Sequence, residues 1–143
     1  MKRNTRVVKV GNLYLGGDYP IRVQSMTKTP TVDVKVTLGQ IKRLAKKGCE
    51  IVRLGIPDRD SALALGKIKK GSPIPIVADI HFDYRLALIA LEQGVDKLRL
   101  NPGNLRNRKY ISLIARESKA RGVPIRVGSN AGSISKEILE KFG

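Results

Sequence analysis

The sequence has one cysteine, no tryptophan, aromatics at only 4% and few acids, 12 Asp and Glu against 28 Lys and Arg. A lone cysteine, Cys49, excludes an intrachain disulfide, and one thiolate cannot by itself hold zinc or an iron–sulfur cluster. Glu50-Ile51-Val52 follows it as a buried strand, so Cys49 is expected to be an inert core thiol. Scarce aromatics leave little for base stacking, and no strand shows the aromatic pattern of RNA-binding sheets. No apolar run approaches the roughly 18 residues of a membrane span, and Met1-Lys2-Arg3-Asn4 opens on no apolar stretch of signal-peptide length. These absences lead to the expectation of a soluble, cytoplasmic protein with neither membrane nor nucleic acid as partner.

What is present is positive charge, a formal +16. Its placement separates two groups. Lys42, Lys46 and Lys47, and again Lys67, Lys69 and Lys70, recur with helical period and read as solvated helix faces. Four arginines instead interrupt apolar, strand-like runs: Ile21-Arg22-Val23, Val52-Arg53-Leu54, Leu98-Arg99-Leu100 and Ile125-Arg126-Val127. A guanidinium inside such a run must meet a counter-charge or a ligand.

From Pro20 onward, β-branched runs alternate with amphipathic stretches, the pattern of consecutive βα units and a parallel sheet. Strands are predicted at 21–25, 50–54, 75–79, 96–100 and 124–128, and helices at 33–47, 58–70, 83–93, 107–121 and 135–142. Asp33, Asp83 and Ser135 are candidate N-caps, and Lys47-Gly48 and Arg121-Gly122 mark two helix ends. Before these units, Arg6 to Leu15 alternates around Gly11-Asn12 as a β-hairpin placed to close the bottom of a barrel. The fold class expected is therefore α/β, a parallel (β/α) TIM-type barrel. It is incomplete, because five units in 143 residues fall short of the roughly 250 of an eight-stranded barrel. A doubly wound sheet is the alternative, but the first βα turn, Gln24-Ser25-Met26-Thr27-Lys28-Thr29, lacks the glycine fingerprint of dinucleotide binding.

Side chains two apart on a strand share a face, and in parallel barrels the strand C-termini build the active site. Arg99 and Asn101 then point one way, as do Asp79 and His81, and Arg126 is followed by Asn130. With Arg53 these converge on one mouth, where Asp79 offsets one arginine but not three. The excess charge calls for an anionic ligand, and the planar guanidinium suits phosphate oxygens in pairs. Arg22 lies early in its strand and points toward the barrel bottom. The turns Asn101-Pro102-Gly103-Asn104 and Gly128-Ser129-Asn130-Ala131-Gly132-Ser133 offer backbone N–H groups to phosphate, and Gln24, Ser25 and Met26 are further candidates at the first strand end.

Five runs in order, Val23 to Thr27, Ile51 to Arg53, Val77 to Arg85, Leu98 to Asn104 and Pro124 to Ser133, resemble the 4-hydroxy-3-methylbut-2-enyl diphosphate synthase family of the non-mevalonate isoprenoid pathway. The resemblance runs from about Arg6 to the last residue. It implies an iron–sulfur oxidoreductase that reductively opens and dehydrates 2-C-methyl-D-erythritol 2,4-cyclodiphosphate. Electrons would come from ferredoxin or flavodoxin through a [4Fe–4S] cluster, in a homodimer when full length. It also implies that residues 1–143 are the N-terminal part of the substrate-binding barrel, with Arg53, Arg99 and Arg126 as diphosphate clamps and Asp79, His81, Asn101 and Asn130 lining the same mouth. The rest of the barrel and the C-terminal iron–sulfur domain with its cluster ligands lie outside the sequence. No catalytic residue and no metal ligand are assigned within it. Ser129 replaces the valine of the family's usual Gly-Val-Asn-Ala-Gly-Ser loop, which leaves Asn130 in place. The alternatives are another phosphate- or pterin-binding barrel enzyme and a basic nucleic-acid-binding module.

Overall fold

The chain first doubles back at Gly11-Asn12: β1 (Val8–Val10) and β2 (Leu13–Leu15) pair antiparallel, with Val10 opposite Leu13. The structure is a computed structural model that describes residues 4–105, 107–134 and 136–142. Beyond the hairpin run five βα units: β3 (Gln24–Met26) and α1 (Val34–Lys46), β4 (Ile51–Ile56) and α2 (Arg59–Gly71), β5 (Ile76–Ile80) and α3 (Tyr84–Glu92), β6 (Lys97–Leu100) and α4 (Arg108–Ala120), β7 (Ile125–Val127) and α5 (Lys136–Phe142). The strands pair in parallel and in sequence order, β3-β4-β5-β6-β7. A doubly wound sheet reverses its strand order at a switch point. This sheet does not, so it is the arc of a barrel that stays open among the described residues.

Local chemistry explains the element ends. Asp33 and Asp83 cap α1 and α3 by accepting from the amides of Val36 and Arg85, and Asp58 and Asn107 cap α2 and α4 in the same way. Gly48 and Gly122 follow α1 and α4 with positive φ, as the glycine pattern predicts. Ser135 lies outside the described residues. The first strand departs from expectation, starting at Gln24 rather than Ile21. The amide of Val23 donates to the Glu50 carboxylate instead of a strand partner, and Ile21 is almost wholly exposed.

The two sheet faces do different work. Val52, Leu54, Ile56, Ile76, Ala78, Ile80, Leu98 and Leu100 point to the helices and pack on Ile41, Leu65, Ile68, Leu86, Ala90 and Ile114. Each fully buried Leu or Ile contributes about 1.5–3 kcal/mol. The opposite face is apolar only at its lower end, where Ile51 and Val77 pack on Val10, Leu13 and Leu15 of the hairpin. The hairpin therefore plugs the bottom of the arc, as its position in the sequence predicts. Arg22 lies at this end too: its Nη1 donates to Glu50 Oε1 at 2.8 Å. Lys69 was expected on a solvated helix face, yet its Nζ donates to Asp96 Oδ1 at 2.6 Å. Asp96 also accepts from the Ile76 amide, so Lys69 ties α2 to the base of the sheet.

Candidate functional site

Strand register builds the mouth. Gly55 on β4, Asp79 on β5, Arg99 on β6 and Arg126 on β7 stand side by side in one row. Neighbours in register share a face, and this is the face opposite the helix-packed core. Arg53 lies two residues before Gly55 on the same face of β4. Four of the predicted site residues, Arg53, Asp79, Arg99 and Arg126, therefore meet at the upper end of the arc.

Asp79 organises them. Its Oδ1 accepts from Arg99 Nη1 at 3.0 Å, and its Oδ2 lies 3.4 Å from Arg53 Nε and 3.8 Å from His81 Nε2. Strand alternation alone predicts one arginine for Asp79. It serves two, because Arg53 extends upward from the adjacent strand, its Nη2 also donating to the Met26 sulfur at 3.1 Å. Arg99 Nη2 donates to the Gly128 carbonyl at 3.1 Å, while its Nε–H is buried with no partner. Arg126 is exposed and has no carboxylate within ion-pair distance among the described residues.

The two following loops are tied together rather than left open. Asn101 is buried; its Oδ1 accepts from the Gly103 amide and its Nδ2 donates to Ser133 Oγ, both at 3.0 Å. That hydroxyl also accepts from the Asn130 amide at 2.9 Å and donates to the Asn130 carbonyl at 2.8 Å. Asn101 is thus a positioning residue for both loops, while Asn130 stays exposed beside the mouth. The backbone amides expected to face phosphate are mostly spent: those of Asn104, Gly128 and Ser133 donate to the carbonyls of Asn101, Leu100 and Asn130. A backbone N–H satisfied inside its own turn cannot cradle an anion without breaking that bond.

Lys97 escaped the sequence reading, which took only arginines inside apolar runs as informative. It is in register with Val77, one step below Arg99 on the same face, and 9% exposed. Burial first, and the nearby Arg126 second, hold its ammonium below the usual lysine range. Against the one carboxylate of Asp79 stand the guanidiniums of Arg53, Arg99 and Arg126 and this ammonium. Partly desolvated cations in such excess favour an anion between them.

The residues present do not fit an iron–sulfur cluster. Cys49 is buried and its thiol donates to the Ile51 carbonyl, and the described residues bring together no group of three or more His, Cys, Asp or Glu that could hold a metal ion. No helix among them is long and apolar enough to cross a membrane.

Residues 5–143 match the GcpE TIM-barrel domain. The chain is 56% identical over 144 residues to the 4-hydroxy-3-methylbut-2-en-1-yl diphosphate synthase (flavodoxin) of Ruminiclostridium cellulolyticum, covering 100% of this chain and 41% of the relative. It is 52% identical over 143 residues to the protein of that name from Caldanaerobacter subterraneus, covering 100% of this chain and 40% of the relative. The chain thus spans about two fifths of the length of the curated relatives it matches. Among solved structures, 7,8-dihydropteroate synthase from Vibrio fischeri superposes with a TM-score of 0.61 at 15% identity, over 86% of this chain and 48% of that one. A mandelate oxidase variant carrying an FMN adduct gives 0.57 at 14%, over 77% and 42%. At such identities the likeness is one of fold alone.

Proposed function

The chain belongs to the GcpE TIM-barrel domain family, and from that premise we propose that it is the substrate-binding portion of a 4-hydroxy-3-methylbut-2-enyl diphosphate synthase. Its mouth takes 2-C-methyl-D-erythritol 2,4-cyclodiphosphate. The observation that carries this reading is the row of cations at the strand C-termini with Asp79 as their sole carboxylate among the described residues. Asp79 fixes the planes of the Arg53 and Arg99 guanidiniums before any ligand arrives, which lowers the ordering cost of gripping a phosphate. Arg126, held by no acid among the described residues, supplies the charge that the ligand neutralises. His81 and Asn130 line the approach, and Asn101 keeps both loops in place.

Reductive ring opening needs electrons, and the names of the relatives point to flavodoxin rather than ferredoxin as their donor. The redox group belongs to residues other than these, in a complete enzyme comprising the rest of the barrel and an iron–sulfur domain. That enzyme is a cytoplasmic homodimer in this reading. Incubating the full-length protein with cyclodiphosphate and reduced flavodoxin, with ferredoxin in a parallel arm, tests it. Formation of 4-hydroxy-3-methylbut-2-enyl diphosphate is expected; absence of both turnover and cyclodiphosphate binding would overturn the assignment.

A further inference from the structure

Gly128 is a glycine that the fold itself does not require. Its φ lies outside the left-handed region, so an L side chain is compatible with its backbone. Nor is it crowded: a Cβ built there meets nothing closer than 3.8 Å. Gly103 differs, because a Cβ at that position would collide with the backbone carbonyl of Ser133.

What a side chain at 128 would meet is the functional row. The built Cβ stands 3.8 Å from Arg126 Nη2, 3.9 Å from Arg126 Nε and 3.9 Å from Arg99 Nε. Arg99 commits its Nη1 to Asp79 and its Nη2 to the Gly128 carbonyl, which leaves its buried Nε without an acceptor, and Arg126 pairs with no carboxylate among the described residues. The backbone of Gly128 holds one guanidinium, and without a side chain it sets no atom against either. An oxygen bound to a guanidinium sits about 2.7–2.9 Å from nitrogen, so a methyl in van der Waals contact with both groups stands in its approach.

We propose that Gly128 is a specificity-determining residue, whose lack of a side chain leaves room for a diphosphate oxygen between the Arg99 and Arg126 guanidiniums. This rests on the diphosphate reading above. Inorganic diphosphate is titrated calorimetrically into the full-length protein and its Gly128→Ala, Gly128→Val and Arg126→Ala variants, and thermal midpoints are recorded alongside. Gly128→Ala is expected to keep the wild-type midpoint and weaken binding about tenfold, the scale of one misplaced methyl in a fitted site, with Gly128→Val weaker still. If Arg126→Ala weakens binding while Gly128→Ala binds like wild type, the inference about Gly128 fails and the diphosphate site stands. If Gly128→Ala loses affinity only together with a fallen midpoint, the glycine is structural and the inference fails again. Wild-type protein that does not bind diphosphate, or binds it as well without Arg126, overturns the site itself.

Discussion

Asp79 grips Arg99 by a 3.0 Å hydrogen bond in which the two side chains are only 4% and 9% exposed, yet the same carboxylate also faces Arg53 at 3.4 Å. The consequences of removing each member are unequal. Asp79→Asn strands two cations, one of them buried, and breaking a buried pair from one side costs about 3–5 kcal/mol. Arg53→Ala leaves the Asp79–Arg99 bond intact and is expected to cost about 1 kcal/mol or less, since Arg53 is partly exposed. Urea denaturation of the two variants checks the order; equal losses would show that Asp79 does not organise the cluster.

Glu50 gives the fold an acid-sensitive joint. The Val23 amide, and next the Arg22 guanidinium, hold its carboxyl below the ordinary value of 4.5. Above that value Glu50 is ionised whether folded or unfolded, and its contribution is fully present. As pH falls through the lowered folded value, the unfolded chain has already taken up the proton and the contribution is lost. Glu50→Gln should therefore be less stable than wild type at neutral pH, with the difference shrinking below about pH 4.5. Thermal midpoints measured from pH 7 to pH 3 test this, and a constant difference would refute it.

Two glycine substitutions should act in opposite directions. Gly11 turns the hairpin with φ +58°, and a Cβ there would stand 2.8 Å from Asp96 Oδ1 and 2.9 Å from Pro75 Cγ. Gly11→Ala is expected to lose about 1–2 kcal/mol through backbone strain and loosened docking of the plug. Gly39 sits within α1, where the nearest atom to a built Cβ is the end of Arg43 at 3.6 Å. Gly39→Ala should add about 0.5–1 kcal/mol, the helix cost of glycine. Denaturation midpoints that move the same way for both would contradict the packing described.

The periodicity of the sequence carries the helices to within a residue or two, because amphipathic stripes and end signals such as Asp33 and Gly48 are local properties. Arg53, Asp79, Arg99 and Arg126 are equally legible: a charge inside an apolar run already marks the face it must occupy. What escaped depends on register and reach. That Asp79 serves two strands follows from the Arg53 side chain reaching across, which alternation along one strand does not encode. Lys69 shares its helical spacing with solvated lysines, and only the approach of Asp96 from a distant turn distinguishes it. Most of the loop amides turn inward because Asn101 and Ser133, 32 positions apart, bond one another and their own turns, a pairing no local pattern encodes.

The isolated 143-residue polypeptide should self-associate. Ile21 and Val23 are 97% and 56% exposed beside β3, Val127 is 69% exposed on β7, and Phe142 of α5 is 75% exposed. Unpaired sheet edges flanked by apolar side chains template pairing with another chain. Sedimentation is expected to show a weight-average mass that rises with concentration, and a strict monomer across the range would count against the open-arc reading.

The cation row and the net charge of +16 make opposite predictions about which residues matter. Arg126 is the cleanest probe because it is exposed and pairs with no carboxylate among the described residues, so Arg126→Ala should cost no stability and relieve its repulsion of Lys97. In the full-length protein it should weaken cyclodiphosphate binding by about 1.5–3 kcal/mol, the scale of a charge-assisted hydrogen bond. Arg53→Ala and Arg99→Ala should weaken it too, but each disturbs Asp79 and must be read beside its own stability. Lys46→Ala is the matched control on a helix face, where a distant exposed charge is screened by salt. Lys69→Ala cannot serve, since it breaks the ion pair with Asp96. A nucleic-acid binder would instead depend on surface lysines and lose affinity for a duplex steeply with salt. Calorimetry with cyclodiphosphate, beside a salt series with a duplex oligonucleotide, separates the two. Arg126→Ala binding cyclodiphosphate like wild type would sink the substrate site, because no other exposed, unpaired guanidinium stands in the row.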